Sequence, residues 1–248
     1  GNFVNNRASL GFSQAGAAIS INDGTVGKIK GDFIGNTANG SAMLLQGNIG
    51  TIYDSNFIGN AGTSGGAIQA WSGKTSIIKN SIFENNIASQ NGAAIYMYKV
   101  PAIHFVADGS DVLFSNNRVG AVTQDNTTRE VTLTGSYVYN DIYAREKDSH
   151  IYLHSQSGNK IQFNGSIVSE AGKYNYLHIG QNSANVLSSL DDNYDKVYSD
   201  LNQNDGDYIF NNNVENLTVI IANGQTMQLG HIIQQNGDDS YGLLSLRE

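Results

Sequence analysis

Phe-x-x-Asn recurs five times in the first half of this chain, at Phe3/Asn6, Phe33/Asn36, Phe57/Asn60, Phe83/Asn86 and Phe114/Asn117. A second element, Gly-x-Ala followed by Ile or Met, alternates with it at Gly16-Ala17-Ala18-Ile19, Gly40-Ser41-Ala42-Met43, Gly65-Gly66-Ala67-Ile68 and Gly92-Ala93-Ala94-Ile95. Steps of roughly 24 to 31 residues lie in the range of solenoid repeats. Such a period is too long for one pair of hairpin strands and too short for most helix-pair repeats, but it suits one coil of three short strands joined by three turns. Twenty-eight glycines and short alternating runs such as Ile19-Ser20-Ile21 disfavour helices. The predicted fold is therefore all-β: a right-handed parallel β-helix of ~10 coils, roughly 45–50 Å long at ~4.8 Å per coil.

In that geometry equivalent residues stack. Phe33, Phe57, Phe83 and Phe114 are expected to fill the core as an inward aromatic column. Asn36, Asn60, Asn86 and Asn117 are expected at the adjoining turn, in left-handed geometry, each amide bonding to the Asn above and below. Gly16, Gly40, Gly66 and Gly92 supply a turn that tolerates no Cβ, and the alanine after them lets facing strands approach.

The regular coils span residues 1–122, with a longer excursion at 99–111 containing Pro101. Residues 123–182 continue with longer turns, among them a polar loop at 124–130. Here Tyr152-Leu153-His154 returns as Tyr176-Leu177-His178, 24 residues later. Read as one coil, that echo stacks Leu153 on Leu177 inside, and Tyr152 on Tyr176 and His154 on His178 outside. The segment 183–206 breaks the pattern. Val186, Leu187, Leu190, Tyr194, Val197, Tyr198 and Leu201 follow helical spacing, which predicts a short inserted helix near 185–202. Coils resume over 207–248, where Phe210/Asn213 repeats the opening motif.

The tandem Phe-x-x-Asn and Gly-Gly-Ala-Ile elements resemble the passenger repeats of chlamydial polymorphic outer-membrane proteins and related type V autotransporters. Gly65-Gly66-Ala67-Ile68 is the full form, and the specific motifs cover residues 3 to about 122. Beyond them, Asn140-Asp141-Ile142-Tyr143, Lys160-Ile161-Gln162-Phe163-Asn164-Gly165 and Tyr208-Ile209-Phe210-Asn211-Asn212 resemble generic passenger coils. The resemblance implies a surface-displayed or secreted passenger of a Gram-negative-type bacterium, anchored through a C-terminal outer-membrane β-barrel. Its implied partners are a protein or glycan on a host or neighbouring cell, or another copy of the chain.

Bulk properties narrow the alternatives. A net charge of −8 with only 14 Lys plus Arg and no basic cluster argues against nucleic acid or an anionic membrane surface as partner. The chain has no cysteine, as expected of a solenoid that needs no disulfides, or of one that crosses an outer membrane unfolded. The single proline fits either vectorial folding without slow isomerisation or the exclusion of proline from parallel coils. No run of 18 apolar residues is present, and the fragment itself is not expected to insert into a membrane. The termini lack polar caps, which predicts a piece of a longer protein.

Many β-helices cleave polysaccharides, so a pectinase-like hydrolase or lyase is the alternative reading. Such hydrolases need paired carboxylates with Gly-His-Gly and Arg-x-Lys nearby. Asp191-Asp192 and Asp238-Asp239 are candidate pairs, but Gly230-His231 is followed by Ile232, there is no Arg-x-Lys, and the arginines are scattered. Asp191-x-Asn193-x-Asp195 opens like a calcium loop, yet Lys196 and Asn202 replace the required Gly and Glu. His150 and His154 would be roughly 13 Å apart in a strand, too far for one ion, and the expected His154/His178 pair does not close a metal site. No catalytic residue, cofactor or metal ligand is assigned. The candidate ligand surface is Tyr152, His154, Tyr176 and His178, with Tyr152/Tyr176 able to stack on a sugar. Trp71 is read either as packing in the core or at a turn, or as an exposed ligand platform.

Overall fold

The structure, a computed structural model, describes residues 1–8, 16–73, 76–125, 127–128, 130–180 and 206–221, and the backbone of the pairs 228–229, 234–235 and 241–242. All regular structure among them is strand, and the strands form parallel sheets with one antiparallel excursion and one short antiparallel pair. The chain visits three sheets in constant order. The first sheet stacks Asn2–Val4, Asp32–Ile34, Asn56–Ile58, Ile82–Glu84, Val112–Ser115, Lys160–Phe163, Asp207–Phe210 and Gln228–Leu229. The second includes Gly16–Ile21, Ser41–Leu45, Ile68–Ser72, Ile95–Lys99, the end of Val131–Ala144, Ser166–Ser169 and Val214–Glu215. The third stacks Thr25–Ile29, Asn48–Tyr53, Ser76–Lys79, Ala102–Ala107, His150–Ser155, Asn175–Ile179 and Leu217–Ile221.

The Phe-x-x-Asn motif sets the register of the first sheet. Phe3, Phe33, Phe57, Phe83, Phe114, Phe163 and Phe210 are successive partners. From Phe3 to Phe114 their rings lie 4.7–4.9 Å apart and within 6° of parallel. That separation matches the strand spacing, so the column packs without tilting any ring. Phe33, Phe57, Phe83 and Phe114 are fully buried, and Phe105 closes edge-on against Phe114 and Phe163.

Beside this column runs a ladder of asparagine amides. Asn36 Oδ1 accepts from the backbone N–H and Nδ2 of Asn6, while Asn36 Nδ2 donates to the Phe3 carbonyl and to Asn60 Oδ1. Asn60 and Asn86 repeat this scheme, and Asn117 extends it. Each inner amide thus uses its two donors and its acceptor, which makes full burial tolerable. The left-handed residue is not the ladder asparagine expected from sequence but the one before it. Asn5, Gly35, Gly59, Asn85 and Asn116 have φ of 53–63°. The division follows from chemistry: the left-handed position needs Gly or Asn, whereas the ladder Asn must aim its amide along the stack.

The Gly-x-Ala element is equally constrained. A Cβ on Gly66 would lie 2.3 Å from the Ile87 carbonyl oxygen, and one on Gly92, where φ is +55°, 2.2 Å from that of Ile95. Gly66 is thus required by close approach, and Gly92 by approach and backbone conformation together.

Two sequence expectations need correction. The excursion at 99–111 is a regular third-sheet strand, Ala102–Ala107, whose surplus residues lie in the following corner. The first departure from the parallel pattern falls instead at 118–139. There Arg118–Gln124 turns back on the first part of Val131–Ala144 as an antiparallel ribbon. The predicted helix near 185–202, the Asp191 and Asp238 pairs, and most of the expected coils beyond residue 221 lie outside the described residues.

Candidate functional surfaces

The expected Tyr152/His154/Tyr176/His178 face has a different composition and exposure. The register is 26 residues, pairing His150 with Tyr176, Ile151 with Leu177, Tyr152 with His178 and Leu153 with Ile179. Tyr152 therefore does not stack on Tyr176, nor His154 on His178, nor Leu153 on Leu177. A shift of two residues keeps every side chain on the same face of the sheet, so alternation alone does not choose between 24 and 26. The corner decides: Asn175 Oδ1 accepts from the Ser149 N–H, its Nδ2 donates to Ser169 Oγ, and the Tyr176 N–H reaches the Ser149 carbonyl.

Three of its four residues are also buried, Tyr152, His154 and His178 at 7%, 1% and 7% exposure, while Tyr176 is half-buried. The Tyr152 ring lies between His104 at 4.4 Å and His178 at 4.2 Å. Two imidazole pairs flank it: His104 Nδ1 with His154 Nε2 at 3.1 Å, and His150 Nδ1 with His178 Nε2 at 2.9 Å. Burial holds His104 well below the usual histidine range, helped by the neighbouring imidazoles, and burial lowers His150 despite Asp148. Such a block packs strands together and leaves little face for a ligand. Among the described residues no three His, Cys, Asp or Glu side chains converge on a possible ion.

A second surface carries no repeated residue that marks it in the sequence. Aligning the Gly-Ala copies on Ile68, Ile95 and the later Ile142 puts Trp71, Tyr98 and Arg145 in one column, and Gln69, Tyr96 and Tyr143 in the next. Both columns alternate away from the core. The Tyr98 ring packs against the Trp71 indole at 4.3 Å, with the Arg145 guanidinium 5.2 Å and the Lys99 ammonium 5.1 Å from its centre. Arg145 Nη1 also donates to the Tyr96 hydroxyl at 3.2 Å, and the Tyr143 hydroxyl donates to Glu170. Burial raises the Tyr96 hydroxyl against the pull of Arg145, and burial followed by Glu170 raises that of Tyr143. Trp71 and Tyr98 are half-buried, while Lys99 and Arg145 are exposed. Trp71 is thus neither core nor turn filler; it stands on the outer face of the sheet.

The antiparallel ribbon is the third surface. Tyr137, Val138 and Tyr139 are exposed at its base, with Arg118 over the Tyr137 ring at 5.4 Å. Only the ribbon strand Arg118–Gln124 pairs with residues 131–139, so one backbone edge of that stretch is open among the described residues.

Comparisons with family models, with curated proteins and with solved structures find no match to this chain.

Proposed function

We propose that this chain is a right-handed parallel β-helix acting as a non-enzymatic, surface-displayed or secreted stalk. It would belong to the type V autotransporter passengers, with adhesion or cell-surface interaction as its role. The observation that carries this reading is the division of labour between inner and outer rows. Phenylalanine repeats along the stacked strands of the first sheet, with asparagine beside it up to Asn117, as a continuous support, while the outward columns and the ribbon at 118–139 carry aromatic, charged and polar side chains. A rod of this kind offers many modest contacts along its length, and affinity would come from area and multivalency. The resemblance of the Phe-x-x-Asn and Gly-Gly-Ala-Ile elements supports the passenger class, the bacterial cell surface as its location, and a β-barrel anchor.

The test is binding of the purified chain to intact host and bacterial cells, measured by flow cytometry, alongside assays for cleavage of acidic and neutral polysaccharides with and without calcium. Saturable binding without cleavage is the expected result. Binding should weaken in a Tyr137→Ser/Val138→Thr/Tyr139→Ser variant of unchanged thermal stability if the ribbon makes contact. Reproducible glycan cleavage would replace this reading with the carbohydrate-active one.

A further inference from the structure

We infer that the Trp71–Tyr98–Arg145 column with Lys99 is a binding site for an acidic saccharide, a chain of uronate or sulfated sugars. This rests on the stalk reading and names the chemistry of its partner. The site combines two elements such a ligand needs. Trp71 and Tyr98 form a half-buried outward aromatic pair, 4.3 Å apart and inclined by 35°, whose uncovered ring edges can contact the C–H groups of a pyranose. Lys99 and Arg145 place two cations 5.1 and 5.2 Å from the Tyr98 ring centre. Arg145 spends one N–H on the Tyr96 hydroxyl, and neither cation forms a salt bridge among the described residues.

That lack of a salt bridge is informative in a chain with 22 acidic and 14 basic residues. Two carboxylates lie close by and both have other partners: Glu170, next to Arg145 in the column, accepts from the Tyr143 hydroxyl, and Glu146, whose charge acts on Arg145, lies 3.9 Å from the Lys173 ammonium. Two cations gathered on one aromatic ring, neither of them in an ion pair among the described residues, favour an anionic ligand on a molecule that is negative overall. The aromatic pair favours a sugar-borne anion over a free one, and Arg145 retains guanidinium donors for a carboxylate or sulfate. Strand stacking repeats the outer face every ~4.8 Å, close to the length of one sugar unit, so an extended chain can follow the column across successive coils.

Trp71 is the chain's single tryptophan, so its fluorescence reports on the site without labelling. The probes are a heparin-derived hexasaccharide, hexagalacturonate, neutral maltohexaose, sodium sulfate and phosphatidylserine vesicles. The expected result is a saturable change in Trp71 emission with one or both acidic hexasaccharides at micromolar to sub-millimolar concentration, and none with maltohexaose or sulfate. Lys99→Gln and Arg145→Gln should each weaken binding at least fivefold. Tyr98→Ser should weaken it further at an ionic strength where charge alone no longer binds.

An equal response to maltohexaose would overturn the acidic preference. Affinity unchanged by Lys99→Gln/Arg145→Gln would overturn the site. Binding to vesicles alone, or binding indifferent to Tyr98→Ser, would reduce the patch to a nonspecific anion surface. If Tyr98→Ser misfolds, the two glutamine variants, exposed and outside the core, still decide. Failure of all acidic probes while the chain still binds cells would defeat this inference alone; failure of cell binding as well would defeat the stalk reading too.

Discussion

Residues 1–117 and residues 118–180 are built on the same three sheets but are held in register by different means. In the first region every coil carries three independent locks: a phenylalanine in face-to-face contact with its neighbours, an amide in the ladder, and a Gly or Asn at the left-handed position. In the second region the phenylalanine column continues through Phe163, but the ladder stops. Asn117 Nδ2 donates to Asp141 Oδ1, and Asp141 Oδ2 accepts from the Gly165 N–H at 2.6 Å. Each ladder amide donates one N–H to the amide oxygen of the next repeat and the other back to a phenylalanine carbonyl, and at Asn117 the acceptor ahead is the Asp141 carboxyl. The next coil offers Asp141 a backbone donor, so an asparagine there would oppose N–H to N–H. Where the ladder ends, the chain also makes its antiparallel ribbon, and the next register is set by corner hydrogen bonds.

The contrast is most severely tested by truncating a ring in the middle of the first region. Phe57→Ala is expected to lower unfolding free energy by about 3–5 kcal/mol, read from urea denaturation, because rings above and below hold the cavity open. Phe163→Ala should cost less, since its contact with Phe210 is already looser at 5.6 Å. Equal losses would erase the distinction between the regions.

Next in size is the ladder itself. Asn60→Ala strands the Asn36 N–H and Nδ2 donors and the Phe33 carbonyl. At about 1–3 kcal/mol for a buried group left unsatisfied, partly relieved by relaxation, a total of roughly 2–4 kcal/mol is expected. Asn213→Ala, outside the ladder although it repeats the sequence motif, should stay within about 1 kcal/mol. A denaturation midpoint for Asn60→Ala equal to wild type would show that the amides contribute little.

A smaller effect separates the regions by pH. Burial pushes Asp141 up to about 7 in spite of its hydrogen bonds to Asn117, Gly165 and Asn164. Its folded value lies above its unfolded one, so the native state holds the proton more tightly. This contribution is therefore present at low pH and is lost as pH rises from about 4 to 7. His104 has the opposite sign. Its depressed folded value makes the unfolded chain take the proton first, so stability falls as pH drops below about 6.5. In denaturation midpoints measured from pH 4 to 9, Asp141→Asn should remove the decline between about pH 4 and 7, and His104→Phe should remove part of the decline below about pH 6.5. Unaltered profiles would place both groups in solvent-like surroundings.

What the sequence displayed follows the same division. Phe33, Phe57, Phe83 and Phe114 were legible because stacking demands identity at every coil, and repetition is visible without a structure. The asparagine ladder was legible for the same reason, though its left-handed neighbour was assigned one residue late because Gly and Asn share that position. The His104/Tyr152/His178 block was not legible. A register of 24 suggested by the Tyr-Leu-His echo and the actual 26 satisfy alternation equally, and the deciding bonds involve Ser149, Asn175 and Ser169. Trp71 over Tyr98 was hidden differently. The outer column does not repeat an identity, so only alignment on the inward isoleucines brings its members together.

The central claim is that successive Phe-x-x-Asn motifs lie directly above one another, one strand spacing apart. The chain has no native cysteine, so nitroxide pairs can be placed at the outward positions Val4, Ile34 and Ser115, which belong to one row through Ile58 and Glu84. Double electron–electron resonance should give backbone separations, after allowance for the linkers, of ~19 Å for Val4/Ser115 and ~14 Å for Ile34/Ser115, a decrement of one coil. Distances that do not shorten by about 5 Å when the label moves up one motif, or a Val4/Ser115 separation well beyond 30 Å, would contradict the stacked register.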